Sequence, residues 1–258
     1  MSFSNFCSEL VNKIYKDDTQ SQDYYLKFIS AARQVPIEYL KSIGAFFVPN
    51  NDYLFYYGGN ASLKYEYDIY RNGSCVWTHF LVIPVKTLSG KIVGFVGWDA
   101  YNSLKQQEGI PDLTTYRTTS KTVFNKNNYF LTDPLVLKNT FNTKSIFVVD
   151  GVFDSLTLNS REIPTISLLG SYPSSLHYYF LQWYEHIYVL TDNDNAGSFL
   201  YKNIHRAIPR TVKLIQSETK DIDDFFKLHP NYAENKLKEI LSNPVYYNTD
   251  ISTKKYKL

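Results

Sequence analysis

Residues 145–154 read SIFVVDGVFD, a short apolar run that ends in an acidic residue and a glycine. An apolar run bounded in this way predicts a buried strand, here over Ile146–Val149. Strands and helices alternate downstream of it, and strands joined by helices pair in parallel through right-handed crossovers. The sequence therefore predicts an α/β sheet covered by helices on both faces. The other predicted strands are Thr165–Leu169, Ile187–Leu190 and Val212–Ile215, and the predicted helices are Asp154–Asn159, Ser174–Trp183, Gly197–Ala207 and Asn231–Leu241.

The half of the chain that precedes this sheet has a different pattern. Apolar residues at helical spacing across Tyr24–Ala45, interrupted at Pro36, predict two short helices. Two apolar runs within Trp77–Trp98 flank a turn at Gly90 and predict a hairpin. Alternating aromatic residues from Tyr53 to Tyr70 predict a further antiparallel pair. The N-terminal part is thus expected to mix helices with antiparallel strands, which makes the chain α+β overall.

Composition and charge exclude several classes of protein. The chain has 258 residues, 44% of them hydrophobic, which is enough for one or two domains with a real core. Lys+Arg 27 against Asp+Glu 25 gives a net charge of +2, which excludes nucleic-acid binding by bulk charge. Cys7 and Cys75 are too few for a zinc ribbon or a disulfide framework and suit a reducing compartment. No membrane span or signal peptide is recognisable, so a cytoplasmic protein is expected.

Acidic residues follow three of the predicted strands at their carboxyl ends. Loops and helix N-termini converge at that edge of a parallel sheet, and ligands bind there. Carboxylates that lie close together repel one another unless a cation neutralises them, and Mg²⁺ prefers such oxygen ligands. An EF-hand is a poor alternative, because its required glycine and glutamate are missing. The candidate ligands are Asp150 and Asp154, Asp192 and Asp194, and Asp221 and Asp223.

Three short segments carry a resemblance to a known domain. Residues 150–154 (DGVFD), 192–197 (DNDNAG) and 220–223 (KDID) resemble the three signatures of a Toprim domain. Residues 83–97 are similar to the segment that precedes Toprim in bacterial and phage DNA primases. The resemblance covers roughly residues 24–240, and its specificity comes from the combination of motifs. It divides the chain into an N-terminal primase-core subdomain (1–142), a Toprim metal-binding domain (143–230) and a C-terminal helix and tail (231–258).

The resemblance implies a primase catalytic core, which synthesises short RNA primers on single-stranded DNA by metal-dependent nucleotidyl transfer. It implies that Asp192, Asp194, Asp221 and Asp223 bind Mg²⁺ or Mn²⁺, with two or more ions, and that Asp154 supports the cluster. Asp150 takes the first acidic position as a catalytic residue and ligand, beside Asp192 and Asp194. The family has a glutamate there, which is one methylene longer than the aspartate of this chain.

Basic residues near the acidic cluster are needed to hold the template and the nucleoside triphosphates. The family's basic positions are here occupied by Trp77-Thr78-His79 and by Trp98. The candidate phosphate contacts that remain are Lys91, Arg117, Lys121 and Lys220.

The expected partners are single-stranded DNA, ribonucleoside triphosphates and a replicative helicase or a separate zinc-binding chain, in the cytoplasm of a bacterial host if the protein is phage-encoded. Two alternatives stay open. One is a replication subunit that has the fold without the catalysis, and the other is a Toprim nuclease. The primase-like segment 83–97 argues against the nuclease, and nothing in the chain supplies the strand-passage domains of a topoisomerase.

Overall fold

The computed structural model describes residues 2–57, 67, 69–102, 116–119, 124–170, 172–192, 194–215, 219, 222–244 and 249–251. The chain forms two compact units. Residues 1–32 and 36–126 form the first unit, and residues 33–35 and 127–258 form the second. The domain boundaries expected from the sequence, after residues 142 and 230, differ from this division and stay predictions. No helix in the described part of the chain has both the length and the apolar character that crossing a bilayer requires.

The first unit is built on an antiparallel sheet. Its strands are β1 (Phe46–Phe47), β4 (Phe80–Lys86), β5 (Ile92–Asp99) and β6 (Tyr116–Thr118), in that spatial order, and β2 (Tyr70–Arg71) pairs separately with β3 (Ser74–Cys75). Its helices are α1 (Phe3–Asp17), α2 (Thr19–Arg33), α3 (Ile37–Ser42) and α4 (Tyr53–Tyr57). The apolar face of α1 packs in the same core as β4 and β5.

The structure confirms the predicted hairpin and the helix boundary at Pro36. Strands β4 and β5 pair around a turn in which Gly90 has a φ of +83°, a conformation that favours glycine. Pro36 directly precedes α3, where a proline is well tolerated. The strand pair expected from residue 53 is wrong over Tyr53–Tyr57, which is helical. Residues 58–66 lie outside the described residues.

Gly97 in β5 lies directly against two aromatic rings. A Cβ atom at this position would approach Trp77 Cζ3 to 2.6 Å and Phe80 Cδ1 to 2.8 Å, and both rings are buried. We therefore expect Gly97→Ala to destabilise the protein by about 1–3 kcal/mol through overpacking. Urea unfolding followed by tryptophan fluorescence measures the change. The exposed Leu88→Ala is the control, and equal midpoints for the two variants would contradict the expectation.

The second unit contains a five-stranded, fully parallel sheet. In spatial order its strands are β11 (Thr249–Asp250), β10 (Val212–Ile215), β9 (His186–Leu190), β7 (Ser145–Val149) and β8 (Thr165–Ser167). Its helices are α5 (Pro134–Thr140), α6 (Val152–Asn159), α7 (Ser175–Leu181), α8 (Asn195–Ala207), α9 (Ile222–Leu228) and α10 (Pro230–Ser242). Short 3-10 turns lie at Lys126–Asn128 and Phe141–Thr143.

Each face of the parallel sheet is covered by a different set of helices. Successive strand residues point to opposite faces, so Phe147 and Val149 belong to one core, with α9 and α10. Ile146 and Val148 belong to another core, with α7 and α8. The predicted α/β class, with a parallel sheet flanked by helices after an antiparallel N-terminal part, is confirmed.

Buried His177 forms a capping box with Ser174 at the N-terminus of α7. Its Nδ1 accepts a hydrogen bond from the Ser174 amide at 3.1 Å, and its Nε2 lies 2.9 Å from the Tyr129 carbonyl. An Nδ1 that accepts leaves the proton on Nε2, so the ring is neutral. Burial lowers the pKa of His177, although the hydrogen bond to Tyr129 opposes this shift.

The lowered pKa of His177 predicts a loss of stability in acid. As the pH falls below about 6.5, the unfolded state takes up a proton on this ring before the folded state does. The contribution of His177 is therefore complete above that pH and decreases as the pH falls towards the folded pKa. We expect His177→Gln to have a weaker dependence of unfolding free energy on pH below 6.5 than the wild type. Parallel curves from denaturant titrations at several pH values would contradict this.

Candidate metal centre

The first two acidic residues of the site lie where β7 passes into α6. Asp150 directly follows the buried strand, and Gly151 is the N-cap residue of α6. Asp154 lies in the first turn of that helix and is buried. A Cβ atom on Gly151 would overlap Asp154 Oδ2 and lie 3.0 Å from its Cγ. Glycine at position 151 therefore leaves the space that the Asp154 carboxylate occupies.

The neighbouring strand β9 delivers the next two acidic residues. Asp192 follows the strand after Thr191, and Asp194 is the N-cap of α8, with its Oδ1 accepting the Gly197 amide at 2.8 Å. A Cβ atom on Gly197 would collide with the backbone carbonyl of Asp192. The turn between strand and helix is therefore tight, and it fixes Asp192 at the edge of the sheet.

Three carboxylates from these two strand ends converge. Asp150, Asp154 and Asp192 each offer an oxygen atom, and these atoms lie within 4.8 Å of one another. The convergence follows from the sheet order, because β7 and β9 are neighbours although β8 lies between them in sequence. The strand order reverses at this pair of strands, and open α/β sheets bind ligands at such a reversal.

The electrostatics of the cluster favour a bound cation. Burial raises the pKa of Asp150, and the negative charge of Asp194 raises it further. Hydrogen bonding from the backbone, including the amides of Gly151 and Asp192, opposes the shift. Three close oxygen donors, one of them on a buried carboxylate, fit a hard divalent ion, which would remove the repulsion that otherwise favours protonation.

Asp223 has positively charged neighbours. Lys227 Nζ lies 2.9 Å and Arg33 Nη1 lies 3.5 Å from Asp223 Oδ2, and only 3% of the Asp223 side chain is exposed. The Arg33 guanidinium also lies 4.6 Å from the centre of the Phe153 ring. A buried carboxylate requires such partners. The roles of Asp194 and Asp223 as metal ligands stay predictions.

Of the other predicted site residues, some belong to the first unit and some lie outside the described residues. Asp221, Lys121 and Lys220 lie outside the described residues. Lys91 is exposed and lies immediately before β5, and Arg117 lies half-buried in β6, opposite Gly97. Both belong to the first unit. Their roles as phosphate contacts stay predictions.

Sequence reasoning missed Arg33 and the spatial role of Gly151. Arg33 is 190 positions from Asp223, and no periodicity or motif connects the two. Gly151 is part of a quoted motif, but its contact with Asp154 becomes visible only when both backbone and side chain are placed. The sequence signal for this contact is the spacing of Gly151 and Asp154, which places the acidic residue in the first turn of the helix that follows the glycine.

Comparisons with known proteins identify a related domain and a shared fold. Residues 147–226 match the family model described as Toprim-like. The matched region runs from within β7 to within α9 and includes Asp150, Asp154 and Asp192. No curated protein sequence matches the chain.

Solved structures of bacterial primases share the fold. The Aquifex aeolicus primase, with its zinc-binding and RNA polymerase domains, superposes with a TM-score of 0.71 at 18% identity over 93% of this chain and 60% of that one. The RNA polymerase domain of Mycobacterium tuberculosis primase DnaG gives 0.72 at 15% identity, covering 94% and 84%. A DnaG catalytic domain bound to single-stranded DNA gives 0.69 at 16% identity, covering 92% and 80%.

The chain therefore spans less than two thirds of the Aquifex structure but most of the catalytic domains taken alone. The predicted resemblance is confirmed at the level of the domain and the fold. This protein contains a Toprim-like domain and has the fold of bacterial DNA primase catalytic cores.

Proposed function

We propose that this protein is a primase-type nucleotidyltransferase that synthesises RNA primers on single-stranded DNA. The observation that carries the proposal is the convergence of Asp150, Asp154 and Asp192 within 4.8 Å at the edge of a Toprim-like sheet. The primase fold of the chain supports it, because this site lies inside a fold shared with nucleotide-polymerising domains. Phage origin belongs to the same proposal.

Asp150, Asp154 and Asp192 would together hold a divalent ion, Mg²⁺ or Mn²⁺. Asp194, Asp221 and Asp223 are the proposed further ligands if two or more ions bind. A bound ion supplies positive charge to the oxygen atoms that become negative when a 3′-hydroxyl attacks an α-phosphate and pyrophosphate leaves. The carboxylates would fix where that charge lies, and Asp150, whose pKa is raised by burial, is also the proposed acceptor of the hydroxyl proton.

Arg117, in strand β6, is the first of the proposed phosphate contacts. Its Nε is buried and has no hydrogen-bond partner among the described residues, and its guanidinium lies 5.8 Å from the Phe80 ring centre. Lys91, Lys121 and Lys220 are proposed alongside it. A DnaG domain bound to single-stranded DNA shares the fold of this chain, which supports DNA as the ligand.

Replacing Arg117 by alanine should weaken single-stranded DNA binding and its dependence on salt. Each lost phosphate contact lowers the slope of log affinity against log salt by about 0.7. Fluorescence anisotropy with a labelled oligonucleotide at several salt concentrations measures this slope. The exposed Lys138→Ala removes the same charge from α5 and is the control. An unchanged slope for Arg117→Ala would exclude this residue as a phosphate contact.

Incorporation of labelled ribonucleotides on a single-stranded template, with Mg²⁺ or Mn²⁺ present, tests the proposed activity. Products of a few nucleotides that require both template and metal ion are expected. A replicative helicase or a separate zinc-binding chain is the proposed partner that selects start sites, so the assay is run with templates of mixed sequence. Metal-dependent binding without synthesis would indicate a non-catalytic subunit, and degradation of the template with Mg²⁺ alone would indicate a nuclease.

A further inference from the structure

The first unit has an acidic, tyrosine-lined cavity of about 400 Å³ that opens to the surface. Four phenol rings line it, from Tyr25 on α2 and from residues 53, 56 and 57 on α4. The carboxylates of Asp18 and Asp52 also line it, and none of the described lining residues is a lysine or an arginine. The cavity therefore combines aromatic side chains with negative charge.

A second carboxylate lies beside Asp18 at the junction of two helices. Helix α1 ends at Asp17, and Asp18 is both its C-cap residue and the residue before α2, with its carbonyl accepting the Gln22 amide at 3.1 Å. The negative end of α1 and the positive end of α2 meet here, so the negative charge of the cavity comes from the carboxylates themselves. Lys16 lies in the same turn but is exposed and does not line the cavity. Burial and the charge of Asp18 raise the pKa of both Tyr53 and Tyr57, so these phenols stay neutral beside the carboxylates.

A hydrogen-bond network holds the wall of the cavity in place. Gln22 is fully buried, and its amide both accepts from the Phe47 N–H at 2.7 Å and donates to the Phe47 carbonyl at 2.9 Å. The same amide donates to the Tyr53 hydroxyl at 2.7 Å, and that hydroxyl donates to Asp18 Oδ2 at 2.7 Å. The aromatic wall and the carboxylate are therefore pre-organised, which lowers the cost of binding.

Exposed aromatic side chains continue from the cavity across α2. Tyr24 contacts Tyr25 with ring centres 5.5 Å apart, and Phe28 contacts Tyr24 at 5.1 Å. Tyr24 is 61% exposed and Phe28 is 63% exposed. Adjacent exposed aromatic rings of this kind mark protein interaction surfaces, and a small free cation would leave them uncovered.

We propose that this cavity binds a lysine or arginine side chain of a basic polypeptide segment, whose apolar residues lie on Tyr24 and Phe28. Cations bind favourably to the faces of tyrosine rings, and the carboxylates complement their charge. Charge also decides against nucleic acid, because Asp17, Asp18 and Asp52 repel phosphate groups. The occupant is therefore a basic segment of a partner protein. The residues that line the cavity belong to the first unit, whereas the acidic cluster belongs to the second.

The test uses the full chain and a short fluorescent peptide that presents Arg-Leu-Arg between Gly-Ser flanks. A second peptide carries neutral citrulline in place of each arginine. We expect Tyr56→Ala and Asp52→Asn each to weaken arginine-peptide binding about five- to tenfold in anisotropy titrations. Both side chains are exposed, so neither change threatens folding, and a thermal melt verifies this. Tyr101→Ala, an exposed tyrosine of the same unit outside the cavity, should bind as the wild type does.

Four results would overturn the proposal. These are no binding up to about 1 mM peptide, equal binding of the citrulline peptide, unchanged binding in both cavity variants, or loss of binding in Tyr101→Ala alone. Spermidine and a single-stranded oligonucleotide are competitors that test other occupants. If spermidine binds as tightly as the peptide and displaces it, the occupant is a small polyamine. If the oligonucleotide displaces the peptide and itself binds Tyr56→Ala more weakly, the cavity binds nucleic acid.

Discussion

Primer synthesis is expected to fall about a thousandfold when Asp192 is replaced by asparagine, which corresponds to about 4 kcal/mol of lost transition-state stabilisation. Asparagine keeps the shape of the side chain but removes one of the three negative charges that converge within 4.8 Å. If the proposed function holds, the affinity for the divalent ion and the placement of its charge both depend on that carboxylate. Ribonucleotide incorporation at saturating template measures the activity. Thermal unfolding with and without Mg²⁺ measures ion binding separately.

The variant Asp133→Asn is the control for Asp192→Asn, because it removes one negative charge from the same unit but outside the acidic cluster. Asp133 caps α5 in the same unit, with its Oδ1 accepting the Leu135 amide at 2.9 Å, and asparagine caps equally well. Asp133→Asn should therefore keep both activity and the stabilisation by Mg²⁺. Full activity in Asp192→Asn would remove the proposed function. Asp194→Asn also keeps its cap, so a loss of activity there would indicate that Asp194 is a ligand.

The second large effect is expected from a single added methyl group, in Gly151→Ala. The new Cβ would overlap Asp154 Oδ2, so the Asp154 carboxylate must leave the position in which it meets the other two acidic residues. The backbone of residue 151 has a φ of −82°, which alanine adopts without strain. Changes to the groups that orient ligands typically cost about 10–100-fold in metal affinity or activity, and we expect a loss of that size. A titration of activity against Mg²⁺ concentration measures it.

Gly197→Ala is the informative comparison, because the obstructing atom there is a backbone carbonyl that cannot rotate away. We expect this variant to lose stability as well as activity. Gly151→Ala should lose activity with only the modest change in stability that a poorer N-cap brings. If Gly151→Ala needs no more Mg²⁺ than the wild type, the Asp154 carboxylate is not part of the ion site.

The parallel sheet could be predicted because its strands are short, mainly apolar segments that alternate with helical segments. Val212–Ile215 agrees with the observed strand in both bounds, and Ile187–Leu190 agrees to one residue. The convergence of Asp150 and Asp192 could also be predicted, since carboxyl ends of parallel strands share one edge. Both features follow from rules that hold for α/β sheets in general, so they need no knowledge of contacts particular to this protein.

Other features depend on contacts that sequence patterns do not record. The aromatic run at Tyr53–Tyr57 has high strand propensity, but Tyr53 and Leu54 are buried on one side of a short helix, so tertiary packing overrides propensity. In sequence, Asp223 has the same character as the other aspartates of the predicted ligand motifs. In the structure it lies beside Arg33, which comes from a distant segment of the chain. Helix α1 was missed although its buried positions follow helical spacing.

The short segment 33–35 gives the second unit an unusual folding requirement. This segment is synthesised before the rest of its unit, residues 127–258. Arg33 can therefore pair with Asp223 only after most of the chain has been translated. Arg161 likewise donates to the Gln34 carbonyl at 3.3 Å. Closing such long loops is slow, so nascent chains should remain protease-sensitive until the C-terminal third has been translated.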